Sequence, residues 1–245
     1  MKLISTPTTA VLWGPAPIDW CEDNHPSTNP FSIAEFHNTW TNIFYVISSL
    51  ILLKSHLKLP STQRDILFTT FIINIILTGL TSGWFHATLL FIAQKSDEFF
   101  ENAAIVSLLY YHVFPLDSNN NTRRIIYYII HTILLGLGVL YIPEIFCEIH
   151  LIICVLITFS TSYDRAMLLP LENITRAIYN FKKSFMSVAV AFGCWLLDFL
   201  LCSYVKQFYL HAYAWHLGTA VALYYGGIAS LVINEKPKVL QEKSY

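Results

Sequence analysis

Three histidines, His86, His211 and His216, are set in a chain of 245 residues that is 55% hydrophobic. Three imidazoles suit a catalytic zinc, because they leave a fourth position for water. Ser82 precedes His86 by four residues and shares its face on a helix. Asp97 follows after a short connection. A carboxylate beside a hydrated cation can move protons, and a hydroxyl can face a developing oxyanion. The pattern is that of a metal-assisted hydrolase. The structural alternative is that Ser82 bonds back to its own helix, that Asp97 is a charge near a helix start, and that each imidazole is satisfied in a core. Asp198 either orients a metal-bound imidazole through its second nitrogen or bonds a neighbouring helix. Near the N-terminus, Asp19-Trp20-Cys21-Glu22-Asp23-Asn24 and the later Glu35 offer hard oxygen donors of the kind calcium takes. Their spacing is not that of an EF-hand, and a solvated acidic loop is the other reading.

The elements that must hold these groups are membrane spans. Only 13% of the residues are charged, and 15 Lys+Arg stand against 16 Asp+Glu. This balance gives no basic field for nucleic acid. A spanning helix needs about 20 largely apolar residues. Seven stretches qualify, roughly 34–54, 65–89, 97–115, 124–142, 145–163, 183–204 and 208–233. The expected fold is therefore an all-α bundle of seven transmembrane helices over residues 34–233. Residues 1–33 form an outer segment and 234–245 a solvated tail. The third and fifth spans are the weaker ones, since Glu101 and Glu148 interrupt their starts. The first 30 residues lack the continuous apolar core of a signal peptide, and no internal repeat is visible.

Basic residues set the orientation. With the N-terminus outside, the inner side carries 12 of them: Lys54, Lys58, Arg64, Arg123, Arg124, Arg165, Arg176, Lys182, Lys183, Lys236, Lys238 and Lys243. The outer side carries Lys2, Lys95 and Lys206. The C-terminus is then cytoplasmic, and Ser82, His86, Asp97, His211 and His216 all lie near the outer face. Ionisable groups inside a bilayer are costly, which makes them functional suspects. The cysteines are Cys21, Cys147, Cys154, Cys194 and Cys202. They form no C-x-x-C pair and no evident disulfide framework. Cys21 and Cys147 share the outer side and are the pair that could bridge there, whereas Cys202 falls inside the sixth span.

Taken in order, these segments resemble the alkaline ceramidase family, within the superfamily that includes the progestin and adipoQ receptors. The resemblance rests on Trp13-Gly14-Pro15, on Asp19-Trp20-Cys21-Glu22 with Asn24, and on Ile33-Ala34-Glu35-Phe36 with Asn38-Thr39. It continues through Ser82-Gly83-Trp84-Phe85-His86-Ala87-Thr88-Leu89 and Asp97-Glu98. It ends on Trp195, Asp198 and Cys202, then His211 and Trp215-His216. It implies an intramembrane amidase that hydrolyses ceramide to a sphingoid base and a fatty acid. It implies zinc on His86, His211 and His216, with Ser82 and Asp97 as catalytic partners. It also implies calcium on Asp19, the Trp20 carbonyl, Glu22, Asn24 and Glu35. The expected partners are a ceramide-type lipid and membrane lipids. The expected membrane is the endoplasmic reticulum or Golgi in a eukaryote, or the inner membrane in a bacterium.

Three departures from the family pattern carry expectations. The family's last two histidines are four apart, whereas His211 and His216 are five apart. On a regular helix five residues leave two rings about 140° apart. Both reach one metal only if the helix starts after His211 or if a π-bulge absorbs the extra residue. The loop between Asn24 and Glu35 is longer by about two residues, which a flexible loop tolerates. Phe99-Phe100 replaces a Leu-Pro pair and bears on substrate fit. The alternative functions are a heptahelical progestin/adipoQ-type receptor, whose expected N-in topology the charge bias opposes, and a transporter, for which no inverted repeat is seen. A retinal protein is excluded because the seventh span holds no lysine.

Overall fold

The computed structural model describes residues 12–25, 32–114, 121–143 and 145–234. Lys2 and the tail residues Lys236, Lys238 and Lys243 lie outside these, as does part of the loop between Asn24 and Glu35. Among the described residues the chain is helical, with one isolated antiparallel bridge between Pro15 and Leu90. The helices are α1 (Phe36–Thr41), α2 (Ile43–Leu57), α3 (Ile66–Thr88), α4 (Phe91–Val113), α5 (Asn121–Tyr141), α6 (Ile145–Ala166), α7 (Leu171–Leu200), the short α8 (Cys202–Val205) and α9 (Leu217–Asn234). A π-helical turn, His211–His216, leads directly into α9.

Among the described residues five helical segments are long and apolar enough to cross a bilayer: Ile66–Thr88, Asn121–Tyr141, Ile145–Ala166, Leu171–Leu200 and His211–Asn234. The chain is a multi-pass membrane protein. The expected first span is broken at Asn42, between α1 and α2. The expected third span, α4, starts earlier than its apolar run and takes in Lys95, Asp97, Glu98 and Glu101. Lys95 is therefore not an outer-loop cation: it is buried within α4 and pairs with Glu98 at 2.8 Å.

The helices form a bundle in which α3 packs on α4 and α2, α9 packs on α7 and α2, and α6 packs on α4. About half of α3 and of the π-turn–α9 segment is buried inside the protein, while α5, α6 and α7 keep most of their surface outward. The outward surfaces are Ile- and Leu-rich, as a lipid-facing surface requires. The central core joins α2, α3, α4 and α9 through Leu52, Phe68, Phe71, Ile75, Tyr111 and Ala220. Gly79 lets α3 approach α2 closely, since a Cβ there would lie 3.0 Å from both the Asn42 carbonyl and Tyr45 Cβ. At the far end, Asp65 caps α3 by accepting from the Leu67 amide at 2.8 Å, and it also pairs with the buried Arg124.

The N-terminal segment is tied onto the end of α3. The Ala16 amide donates to the Leu89 carbonyl at 2.8 Å, the Ala34 amide to Ala87 at 3.1 Å and the Glu35 amide to His86 at 3.0 Å. Leu89 closes α3 in the left-handed conformation, with φ 51°, and so turns the chain sharply into α4. A disulfide joins Cys21 to Cys202, with Cα atoms 5.4 Å apart. This corrects the sequence reading, in which Cys21 and Cys147 are the pair that could bridge and Cys202 lies inside a span. Helix α7 stops at Leu200, so Cys202 sits beyond its end, where the N-terminal segment can reach it. Cys147 is a free, buried thiol.

Candidate metal centre

His86 projects from the last turn of α3, and His211 and His216 open and close the π-turn. Their ring centroids are 5.2 Å (His86–His211), 5.2 Å (His86–His216) and 4.9 Å (His211–His216) apart. All three rings are buried, and one nitrogen from each lies within 4.8 Å of the others. The π-turn is the second of the two accommodations the five-residue spacing requires. Its wider i→i+5 repeat returns residues five apart to one face.

The outer nitrogens show how two rings are aimed. His86 Nδ1 lies 2.5 Å from Glu35 Oε2. Thr41 Oγ1 donates to the His37 carbonyl at 2.8 Å and lies 2.8 Å from His216 Nδ1. Because the Thr41 proton is committed to the backbone, Thr41 accepts from His216. With Nδ1–H donated outward in both residues, Nε2 of each neutral ring is the nitrogen left for a cation. His211 is held differently. Trp20 packs on it, tilted by 31° with centroids 3.9 Å apart, and its Nδ1 is buried without a hydrogen-bond partner among the described residues. Asp198 is buried in α7 near the His211 and Cys21 backbone amides, yet neither carboxylate oxygen is within hydrogen-bonding geometry of a donor among the described residues.

Ser82 donates to the Asp97 carboxylate across the α3–α4 contact. Both line a small cleft together with His86, His211 and His216. Asp97 sits in the second turn of α4, so it is not a charge capping that helix. Glu98, Glu101 and Glu148 line the same cleft. Sequence reasoning treated Glu101 and Glu148 only as interruptions of apolar runs. The cost of a carboxylate at that depth was the signal that could have singled them out. Thr41 was also missed, since nothing in the sequence pairs it with a residue 175 positions away.

An apolar cavity of about 120 Å³ continues from the cleft, sharing Tyr45, Thr78, Glu101 and Trp215 with it. Leu108, Val155 and Phe181 line its deeper part.

Glu35 links the residues considered for calcium to the histidine centre, through Trp20 on one side and His86 on the other. The Glu22 carboxylate accepts from the His37 amide at 2.6 Å and the Asn38 amide at 2.8 Å, at the start of α1. Burial pushes its carboxyl up, while those two amides oppose the shift. Asp19 Oδ1 accepts from Asn24 Nδ2 at 2.9 Å. Glu35 Oε1 accepts from the Trp20 amide at 3.3 Å, and Oε2 from Asn38 Nδ2 at 3.0 Å. Asp19, Glu22 and Glu35 are not among the described sets whose ligand atoms close to within 4.8 Å. Glu35 is near enough to Asp19, and Glu22 to Glu35, for mutual repulsion. A divalent cation among them would relieve that repulsion.

Comparison with known proteins identifies the family. The family described as Ceramidase matches residues 14–245. Alkaline ceramidase 1 of Homo sapiens is 27% identical over 238 residues, covering 89% of this chain and 82% of its own length. Alkaline ceramidase of Drosophila melanogaster is 26% identical, over 86% of this chain and 75% of its own length. Alkaline ceramidase 1 of Mus musculus is 26% identical, over 89% and 80%. With a family match running from Gly14 through the histidine centre to the last residue, the chain belongs to the ceramidase family.

Proposed function

We propose that the chain is a zinc-dependent intramembrane amidase that hydrolyses a ceramide-type lipid to a sphingoid base and a fatty acid. The observation that carries this reading is the convergence of His86, His211 and His216 beside the Ser82–Asp97 pair, at the mouth of an apolar cavity. Family membership and the names of the relatives support the hydrolase class and the substrate. A lipid with two aliphatic chains and an amide between them needs both parts of this site. The chains require apolar walls, and the amide requires polar groups at their end.

His86, His211 and His216 would hold the zinc. When bound, zinc lowers the pKa of a water molecule and polarises the amide carbonyl. Asp97 takes a proton from the attacking water as its oxygen bonds to the carbonyl carbon. The neutral Asp97 carboxyl can then donate to Ser82 Oγ. This frees the Ser82 O–H to turn to the oxyanion. As the C–N bond breaks, Asp97 returns its proton to the departing amine. One water is consumed, and the acid and amine leave with Asp97 ionised as before.

Calcium at Asp19, the Trp20 carbonyl, Glu22, Asn24 and Glu35 would hold the N-terminal segment over the bundle. The donors are hard oxygens, as calcium requires. In the membrane reading, α1 with α2 and α4 join the five apolar segments as spans, giving seven. The N-terminus is outside and the C-terminus inside. The charge bias supports this orientation, in an endoplasmic reticulum or Golgi membrane, or in a bacterial inner membrane.

The test is to purify the full chain in detergent, measure zinc per chain, and assay hydrolysis of a ceramide panel with and without calcium. One zinc per chain and release of sphingoid base are expected. A folded His86→Ala variant with full activity would remove zinc from the mechanism.

A further inference from the structure

Away from this centre, α5 and α6 bring together His131, His150 and Cys154. His150 and Cys154 are four apart on α6 and share one face. His131 Nε2 lies 2.9 Å from His150 Nε2, and Cys154 Sγ lies 3.6 Å from that same nitrogen. One ligand atom from each of the three residues is within 4.8 Å of the others. Amide hydrolysis as derived above uses none of them.

A further residue fixes the tautomer. Asn102 Nδ2 donates to the Glu98 carbonyl at 2.9 Å, which sets which end of the amide is oxygen. Asn102 Oδ1 therefore accepts from His150 Nδ1 at 2.7 Å. Neutral His150 then carries its proton on Nδ1 and turns the Nε2 lone pair toward His131 and Cys154. An acceptor behind an imidazole is the arrangement that aims a metal-ligating histidine.

We infer that His131, His150 and Cys154 form a second metal site, for a thiophilic cation of the zinc or copper(I) class. A thiolate with two imidazoles selects cations of that softness. Bonds of about 2.0 Å to nitrogen and about 2.3 Å to sulfur, at tetrahedral angles, place nitrogen and sulfur about 3.5 Å apart and two nitrogens about 3.3 Å apart. The His150–Cys154 spacing already matches, Cys154 and His131 lie within 4.8 Å, and the two imidazoles need open by only a few tenths of an ångström. Coordination releases the Cys154 proton. Helix α5 packs chiefly on α4, and a shared cation would fasten it to α6 as well. A hydrogen bond from His131 to His150 would account for the short nitrogen contact but gives Cys154 no part.

The discriminating feature is sulfur, since the centre at His86, His211 and His216 contains none. The full chain is purified in detergent and loaded with Co2+ as the probe. The expected result is a near-ultraviolet thiolate-to-cobalt charge-transfer absorption. In Cys154→Ala that absorption is lost and bound cobalt falls by one per chain. Absence of the absorption in the wild type, or its survival in Cys154→Ala, would overturn the proposal. A second measurement needs no variant: zinc-edge X-ray absorption on Zn2+-loaded wild-type protein. A sulfur shell at about 2.3 Å is expected, and a shell of nitrogen and oxygen alone overturns the site. Neither readout depends on catalytic activity or on whether the first centre is filled.

Discussion

Glu35 Oε2 lies 2.5 Å from His86 Nδ1, and both side chains are buried. The other Glu35 oxygen accepts from the Trp20 amide. One carboxylate thus orients a proposed zinc ligand and anchors the segment proposed to hold calcium. Glu35→Gln keeps the shape but cannot serve both donors, because one of its two ends becomes an NH2 group facing Trp20 N–H or His86 Nδ1–H. Loss of such a partner typically costs about 10–100-fold in metal affinity. Zinc retention against a competing chelator should fall by that order in Glu35→Gln. Thr41→Val removes a neutral acceptor from His216, and its loss should be smaller. Equal losses in the two variants would show that charge on the partner does not matter here.

The π-turn makes a second prediction. His211 and His216 are five positions apart, and the local winding brings both rings to one side. Deleting Ala214 restores four-residue spacing, which a regular α-helix places on one face. That variant should retain zinc, with the irregular stretch before His211 absorbing the one-residue shift. Inserting one alanine after Ala214 makes the spacing six, which suits neither winding, and zinc should be lost. Zinc per chain, measured on folded material, reads both outcomes.

The apolar runs and the two histidine-bearing segments were legible in the sequence because both depend on local patterns. Hydropathy found α3, which carries His86, to within one residue at each end, and the π-turn with α9 to within three. It was weakest at α4, for a physical reason. That helix carries Lys95, Asp97, Glu98 and Glu101, so the residues that build the site are the ones that spoil the pattern of a span. The break at Asn42 was hidden because Asn42 is flanked by helix on both sides. Contacts that join distant positions, Thr41 with His216 and Cys21 with Cys202, leave no periodic trace. Cys202 was misplaced because the apolar run continues past Leu200, where α7 ends.

Proton competition at Glu22 provides a third prediction. Burial raises its carboxyl above the ordinary range, and calcium binding requires the carboxylate. Protons therefore begin to displace calcium at a higher pH than they would from an ordinary glutamate, near 4.3. Apparent calcium affinity should fall as pH drops into that raised range, and Glu22→Gln should weaken calcium binding while flattening the pH dependence. Isothermal titration of calcium at several pH values reads both. An identical pH profile in wild type and variant would remove Glu22 from the site.

The Cys21–Cys202 bridge closes a loop of nearly the whole bundle and holds the N-terminal segment against the end of α7. Removing a native disulfide from a small domain costs about 2–5 kcal/mol. The Cys21→Ser/Cys202→Ser double variant should melt at lower temperature than the wild type, and the wild type should approach it when reduced. Because Trp20 packs on His211 next to Cys21, zinc retention should fall together with the melting temperature. Unchanged melting in the double variant would mean that the segment is held by its backbone bonds to α3 alone.

Ser82 and Asp97 are bonded to each other, so their substitutions should not be independent. Asp97→Asn removes the group that moves the proton, and loss of such a group typically costs about 10²–10⁴-fold in rate. Ser82→Ala removes one oxyanion donor, typically about 10²–10³-fold. Both losses should appear in kcat with KM little changed, because neither residue lines the deeper apolar cavity that would bind the chains. In the double variant the loss should be less than the product of the two. Without Asp97 to accept and return the proton, Ser82 has little oxyanion left to stabilise. Fully multiplicative losses would mean that the hydrogen bond is structural and that the two residues act at separate points. Zinc content measured alongside keeps a lost metal from being read as lost proton transfer.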